Sequence, residues 1–79
     1  MYTQKIKQDC NIQIGPNIRA IRQAKNIGQT QLVKQMQLIG VDITRETLVK
    51  IERGIQHIYA SQLKAIRDIL ETTYDELLK

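Results

Sequence analysis

Residues 44–54 read Thr44-Arg45-Glu46-Thr47-Leu48-Val49-Lys50-Ile51-Glu52-Arg53-Gly54. Thr44 is a good N-cap, because its hydroxyl can accept from a first-turn backbone N–H, and Gly54 is a natural stop. On a wheel of about 100° per residue, Leu48, Ile51 and Ile55 fall on one side. Glu46, Lys50 and Arg53 fall opposite, flanked by Arg45 and Val49. A helix with one apolar seam and a polar, hydrogen-bonding outer face has the cross-section of a major-groove reader. An ordinary surface helix shows the same pattern and is the commoner case. The surrounding elements have to decide.

Working toward the N-terminus, Gly40 ends a preceding helix predicted over residues 29–39, with Gly28 as its cap and Leu32, Val33, Met36 and Ile39 as its apolar stripe. Val41 and Ile43, in the connection 40–43, are expected to point inward. Before it, Gly15-Pro16 opens a helix over 16–25, since proline fits a first turn whose N–H groups have no intrahelical partner. Ile14, Ile18, Ile21 and Lys25 share one face there, and Asn26 suits a left-handed stop. Residues 1–13 show neither period and are read as an arm. Working toward the C-terminus, 55–59 is a link whose Ile55, Ile58 and Tyr59 are read as core, the alternative being a partly exposed, self-complementary patch. A helix over 60–71 follows, with Tyr59, Leu63, Ile66 and Leu70 inward. Thr73 and Glu76 have capping-box spacing, and Leu77 and Leu78 close a last turn. The expectation is all-α: five short helices, no strand, and one domain over 14–79 behind the arm 1–13.

Composition agrees with a small folded module. The chain has 79 residues, 42% of them hydrophobic, with 13 Ile and 7 Leu and neither Phe nor Trp. That suffices for a core of branched aliphatics and is too apolar for a disordered chain. One cysteine, Cys10, excludes an intramolecular disulfide and a cysteine-based zinc cluster, and fits a reducing compartment. No apolar run approaches the ~20 residues of a membrane span, and the first ten residues lack the apolar stretch of a signal peptide. A cytoplasmic protein without a membrane partner is expected. Net charge is +4, with +5 on the first 54 residues and −1 on the rest. A positive field on one part of a small domain favours a polyanion.

Three short helices followed by two more, with a polar third helix after a turn, is the layout of a helix-turn-helix DNA reader. Here the residues themselves resemble a family. Ile14-Gly15-Pro16-Asn17-Ile18-Arg19, Arg22-Gln23-Ala24-Lys25-Asn26-Ile27-Gly28-Gln29, Leu32, and then Thr44 to Ile51-Glu52-Arg53-Gly54 are similar to the Cro/C1-type (XRE-like) bacterial and phage repressors. The closing Thr73-Tyr74-Asp75-Glu76-Leu77-Leu78 also resembles that family's ending. The likeness covers about residues 14–78, and Ile51-Glu52-Arg53-Gly54 is its most specific motif.

The resemblance implies a five-helix, lambda-repressor-like bundle that acts as a sequence-specific regulator on double-stranded DNA, usually as a repressor and a homodimer. It assigns Gln29 to a DNA phosphate, where the helix N-terminus adds free N–H groups; from the residues alone, Gln29 is equally a surface residue. It assigns base reading to Arg45, Glu46 and Lys50. Arg45 would fork onto guanine, and Glu46 would accept from cytosine N4 or orient Arg45. Thr44 and Arg53 would grip phosphates. Thr47 faces sideways and is read as packing or water-bridging. The resemblance also implies an ion pair between Arg22 and Glu52, both on the apolar sides of their helices, where long charged groups are costly unless paired. Wheel positions allow that pair independently.

Two departures stand out. The stretch from Val33 to Glu52 is about five residues longer than the family's shortest form, which predicts a lengthened second helix. Arg67 stands where the family has a small residue; its stem is expected to pack while its head reaches water, or to bridge a partner subunit. A dimer contact is sought around Tyr59, Tyr74 and the C-terminal leucines. His57 and Cys10 are not spaced for a metal site, and His57 in its loop is as readily inert as a phosphate contact. No nucleophile–base set assembles, so no enzyme activity, cofactor or small-molecule ligand is expected. The competing class is a protein-interaction module of the same fold, such as an antitoxin or anti-repressor, which would show an apolar or acidic face on the 44–53 helix.

Overall fold

Asn26 and Gly40 turn the chain between its first three helices, both in the left-handed region at φ 58° and 89°. Asparagine and glycine tolerate that conformation, which is why they end helices. The structure, a computed structural model, describes residues 5–6 and 13–79. Helices α1 (Ile14–Ala24), α2 (Gln29–Leu38), α3 (Arg45–Glu52), α4 (Ala60–Leu70) and α5 (Tyr74–Leu78) account for most of them, with strands β1 (Lys5–Ile6) and β2 (Ile58–Tyr59).

Helix α1 begins at Ile14, two residues earlier than expected, leaving Pro16 within the first turn where no N–H is needed. The Asn17 N–H donates to the Gln13 carbonyl at 3.0 Å and closes that turn. Its inward stripe is Ile14, Ile18 and Arg22, with Ile21 half-buried, rather than the face ending at Lys25. Lys25 is the C-cap and exposed, because the helix stops before it can turn that residue under.

In α2, Leu32, Val33 and Met36 are buried, but Ile39 is 59% exposed and Leu38 80%. The expected fourth rung of the stripe fails because α2 ends at Leu38 and Gly40 redirects the chain. The lengthened second helix expected from the sequence does not form: residues 39–44 are non-helical, with Ile43 buried and Val41 half-buried against the core. Gln37 Nε2 donates to the Ile43 carbonyl at 2.8 Å and ties the connection to its helix.

A similar correction applies after α3. Leu48 and Ile51 are buried, but Ile55 is exposed, since Gly54 at φ 78° breaks the wheel before it. Ile58 does enter the core, and Tyr59 is half-buried. These two residues form β2, which pairs antiparallel with β1 in the register Lys5↔Tyr59, Ile6↔Ile58. The expectation of no strand is thus corrected: two residues per strand are too few to show a period. The remaining residues of the predicted arm, 1–4 and 7–12, with Cys10 among them, lie outside the described residues.

Helix α1 packs on α3, α4 and α5, while α2 packs on α3 and α4. Between them, Ile18, Leu32, Met36, Leu48, Ile66, Leu70 and Leu77 are fully buried. Asn17 fastens the end of the bundle, donating from Nδ2 to the carbonyls of Leu77 at 2.9 Å and Lys79 at 2.8 Å. At α4, the Gln62 side chain accepts from the Tyr59 N–H at 2.9 Å. Thr73 caps α5 by accepting from the Glu76 N–H at 3.2 Å, while the Glu76 carboxylate pairs with Lys79 at 3.0 Å. No helix among the described residues is long and apolar enough to cross a membrane.

Candidate functional site

The site is assembled around the end of α3. Gly15 sits so close to this end that a Cβ in its place would collide with the Ile51 carbonyl oxygen and lie 2.9 Å from that of Glu52. Only glycine allows α1 to approach a neighbouring backbone so closely. That approach brings Arg22 of α1 onto Glu52 of α3. Arg22 donates from Nε to Glu52 Oε2 at 2.8 Å and from Nη2 to Oε1 at 2.9 Å, a fork-to-fork pair. Its Nη1 donates to the Ile27 carbonyl at 2.8 Å, in the turn leading to α2. Both residues are buried, at 7% and 4% exposure, so the pairing compensates two otherwise costly charges.

Gln29, the first residue of α2, joins this network. Its Nε2 donates to Glu52 Oε1 at 3.0 Å, so three helices meet on one carboxylate. Sequence reasoning sent Gln29 outward and missed this bond, because nothing local to Gln29 signals a partner 23 residues away. Among the described residues, its second amide hydrogen and its carbonyl oxygen have no partner. Gly28 precedes it as N-cap, with no side-chain hydrogen bond to the first-turn amides.

Above the network lies an open groove of about 500 Å³, lined by Arg19, Arg22, Gln23, Gln29, Val49, Glu52 and Arg53. Arg19 and Gln23 carry no role in the sequence reading, and Val49 appears there only as a flank of the outer face. The one available signal was the charge of residues 14–27, to which Arg19 contributes. Arg53 caps the C-terminus of α3 and is exposed.

The outer face of α3 completes the site. Thr44 Oγ1 accepts from the Thr47 N–H at 3.1 Å, which fixes the start of the helix, and the two hydroxyls are 3.0 Å apart. Half-buried Thr47 is therefore engaged with the cap. Arg45 and Glu46 are exposed on the first turn. Glu46 approaches Lys50 at 3.4 Å, one helical turn on. Among the described residues, Arg19, Arg45 and Arg53 have neither an ion-pair nor a hydrogen-bond partner for their guanidinium groups.

The remaining candidates lie elsewhere. Arg67 stacks over the Tyr74 ring at 4.7 Å and pairs with Asp68 at 2.7 Å. The Asp68 hydrogen bond raises the pKa of this guanidinium above its ordinary value. His57 is exposed in the link after α3. Among the described residues, no group of three or more metal-ligating side chains converges.

Comparison with family models, with curated proteins and with solved structures finds no match. The functional reading therefore stands on residues and geometry. What they provide is a cationic groove, an open helix N-terminus beside it, and an adjoining helix whose exposed face carries three donors and one carboxylate. Such a surface has the charge and the donors to complement a polyanion that also presents hydrogen-bonding edges.

Proposed function

We propose that this chain is a helix-turn-helix protein of the Cro/C1-type (XRE-like) kind, binding double-stranded DNA sequence-specifically and regulating transcription as a repressor. In this reading α2 and α3 are the motif. Arg45, Glu46 and Lys50 of α3 read base edges in the major groove, while Gln29, Thr44 and Arg53 hold phosphates. Arg19 joins them from α1. Arg22 and Glu52 are structural, setting the angle of α3 and the position of Gln29 together.

One observation carries the proposal: the unpaired guanidinium groups of Arg45 and Arg53 stand on one stripe of α3, and the stripe borders the groove holding Arg19 and Gln29. Cations left without internal partners, on a face with a helix N-terminus beside it, suit a regular array of phosphates. The B-DNA major groove, about 12 Å wide, admits a helix of this kind. Exposed Ile55, just past α3, is where a second copy on an adjacent half-site would touch, giving a homodimer on DNA. The bacterial and phage repressors that the sequence resembles imply a cytoplasmic protein.

The test is selection from a random double-stranded DNA pool at two salt concentrations. Enriched sequences whose affinity falls steeply with salt are expected; no enrichment would overturn the reading. Leu38 and Ile39, exposed together at the end of α2, favour the second reading of a protein-interaction module. That reading expects no selected DNA site and a protein association abolished by Leu38→Lys.

A further inference from the structure

Val49 stands apart from the other apolar residues of α3. Leu48 and Ile51 are in the core at 0% and 1% exposure. Val49 is half-buried, yet belongs neither to the core nor to the half-buried residues packed against it, which are Ile21, Ile27, Val41 and Ile69. Its surroundings are the groove, with Arg19, Gln29 and Arg53 as neighbours in the lining. On the helical wheel it falls about 40° from Arg45 and about 40° from Arg53, within the outer face. It is the one apolar side chain on a face otherwise made of charges. A valine in a helix keeps one strongly preferred rotamer, so its two methyl groups are held in place before any ligand arrives.

The chemistry of a DNA groove supplies a counterpart. Among the groups that base pairs present in the major groove, the thymine C5-methyl is the apolar one. It lies on the side of the base edge nearest the phosphates of its own strand. A side chain set between phosphate-holding groups and base-reading groups meets that position first. We propose that Val49 reads a thymine methyl beside the phosphate held by Gln29 and Arg53, so that specificity at this base pair comes from apolar contact rather than a hydrogen bond. The inference rests on the DNA-binding reading above.

The experiment uses the full chain and the sites selected from the pool. Each thymine of a selected site is replaced in turn by deoxyuridine, which removes one methyl and alters no hydrogen-bonding group. Affinity is measured for the parent protein and for Val49→Ala, with thermal unfolding confirming that the variant is folded. At one position, uracil is expected to weaken the parent about fourfold, the factor to which ~0.8 kcal/mol for one buried methyl-sized group converts. Val49→Ala should bind the thymine and uracil forms of that site equally. If uracil is without effect at every position, or weakens parent and variant alike, Val49 does not read the methyl and packs only against the arginine stems. Failure to select any DNA sequence is a separate outcome: it overturns the DNA reading, and this inference with it.

Discussion

Helix α3 carries two ion pairs of the same chemical kind in opposite surroundings. Glu52 meets Arg22 with side-chain exposures of 2% and 9%, whereas Glu46 meets Lys50 with exposures of 80% and 46%. The buried pair is bidentate and shares its carboxylate with Gln29; the outer pair is a single 3.4 Å approach along one helix. Water and salt screen the second, and holding two long side chains together costs entropy, so its net worth is small. The first is sheltered, and either partner alone would be a stranded charge. The difference separates what holds α3 in place from what remains exposed on its outer face.

The largest effect is expected at the buried pair. Glu52→Ala leaves Arg22 buried without its partner and should cost about 3–5 kcal/mol of unfolding free energy, read from urea denaturation. A loss no larger than that of Lys50→Ala would mean that burial does not distinguish the pairs. Gly15→Ala acts on the same contact from the backbone side, forcing α1 away from the Ile51 and Glu52 carbonyls. It should destabilise by about 1–3 kcal/mol, the range for overpacking. An unchanged urea midpoint would show that α1 can shift without cost.

On the exposed side the effects should move from stability to binding. Arg45→Ala is expected to leave unfolding within about 0.5 kcal/mol of the parent. It should weaken the selected DNA site by about 1–3 kcal/mol and relax specificity at one base position. Gln29→Ala should instead weaken all sites alike, and identical behaviour of the two variants would remove the division between base reading and phosphate gripping. Thr44→Ala removes the cap on Thr47 and should cost about 1 kcal/mol of stability. Smallest of all, Lys50→Ala should change stability by no more than about 0.5 kcal/mol, and raising the salt concentration should erase even that.

The two sides of α3 were unequally legible in the sequence. The Thr44 cap, the inward Leu48 and Ile51, and the outward Arg45, Glu46 and Lys50 all follow from rules that act within one helical turn. The same holds for the left-handed Asn26 and for the stripe of Leu32, Val33 and Met36. Misreadings fall where a helix stops. Ile39 and Ile55 continue a wheel that the backbone has already left at Gly40 and Gly54, so both are exposed. Strand β2 escaped notice because two residues carry no period, and its partner β1 is more than 50 residues away. Within the site, the bond from Gln29 to Glu52 and the grouping of Arg19, Gln23 and Val49 in one groove had no local signature.

Sequence by itself determined that the chain forms five short helices with branched aliphatic seams, because helix periodicity, capping and turn chemistry are properties of neighbouring residues. It also determined which charges are available on α3. Only the tertiary structure decided that Gln29 would join the expected Arg22–Glu52 pair, and that, among the described residues, Arg19, Arg45 and Arg53 would keep their guanidinium groups unpaired. That depends on how closely α1 can lie against the end of α3, a matter of backbone approach at Gly15 that acts across more than 30 residues of chain.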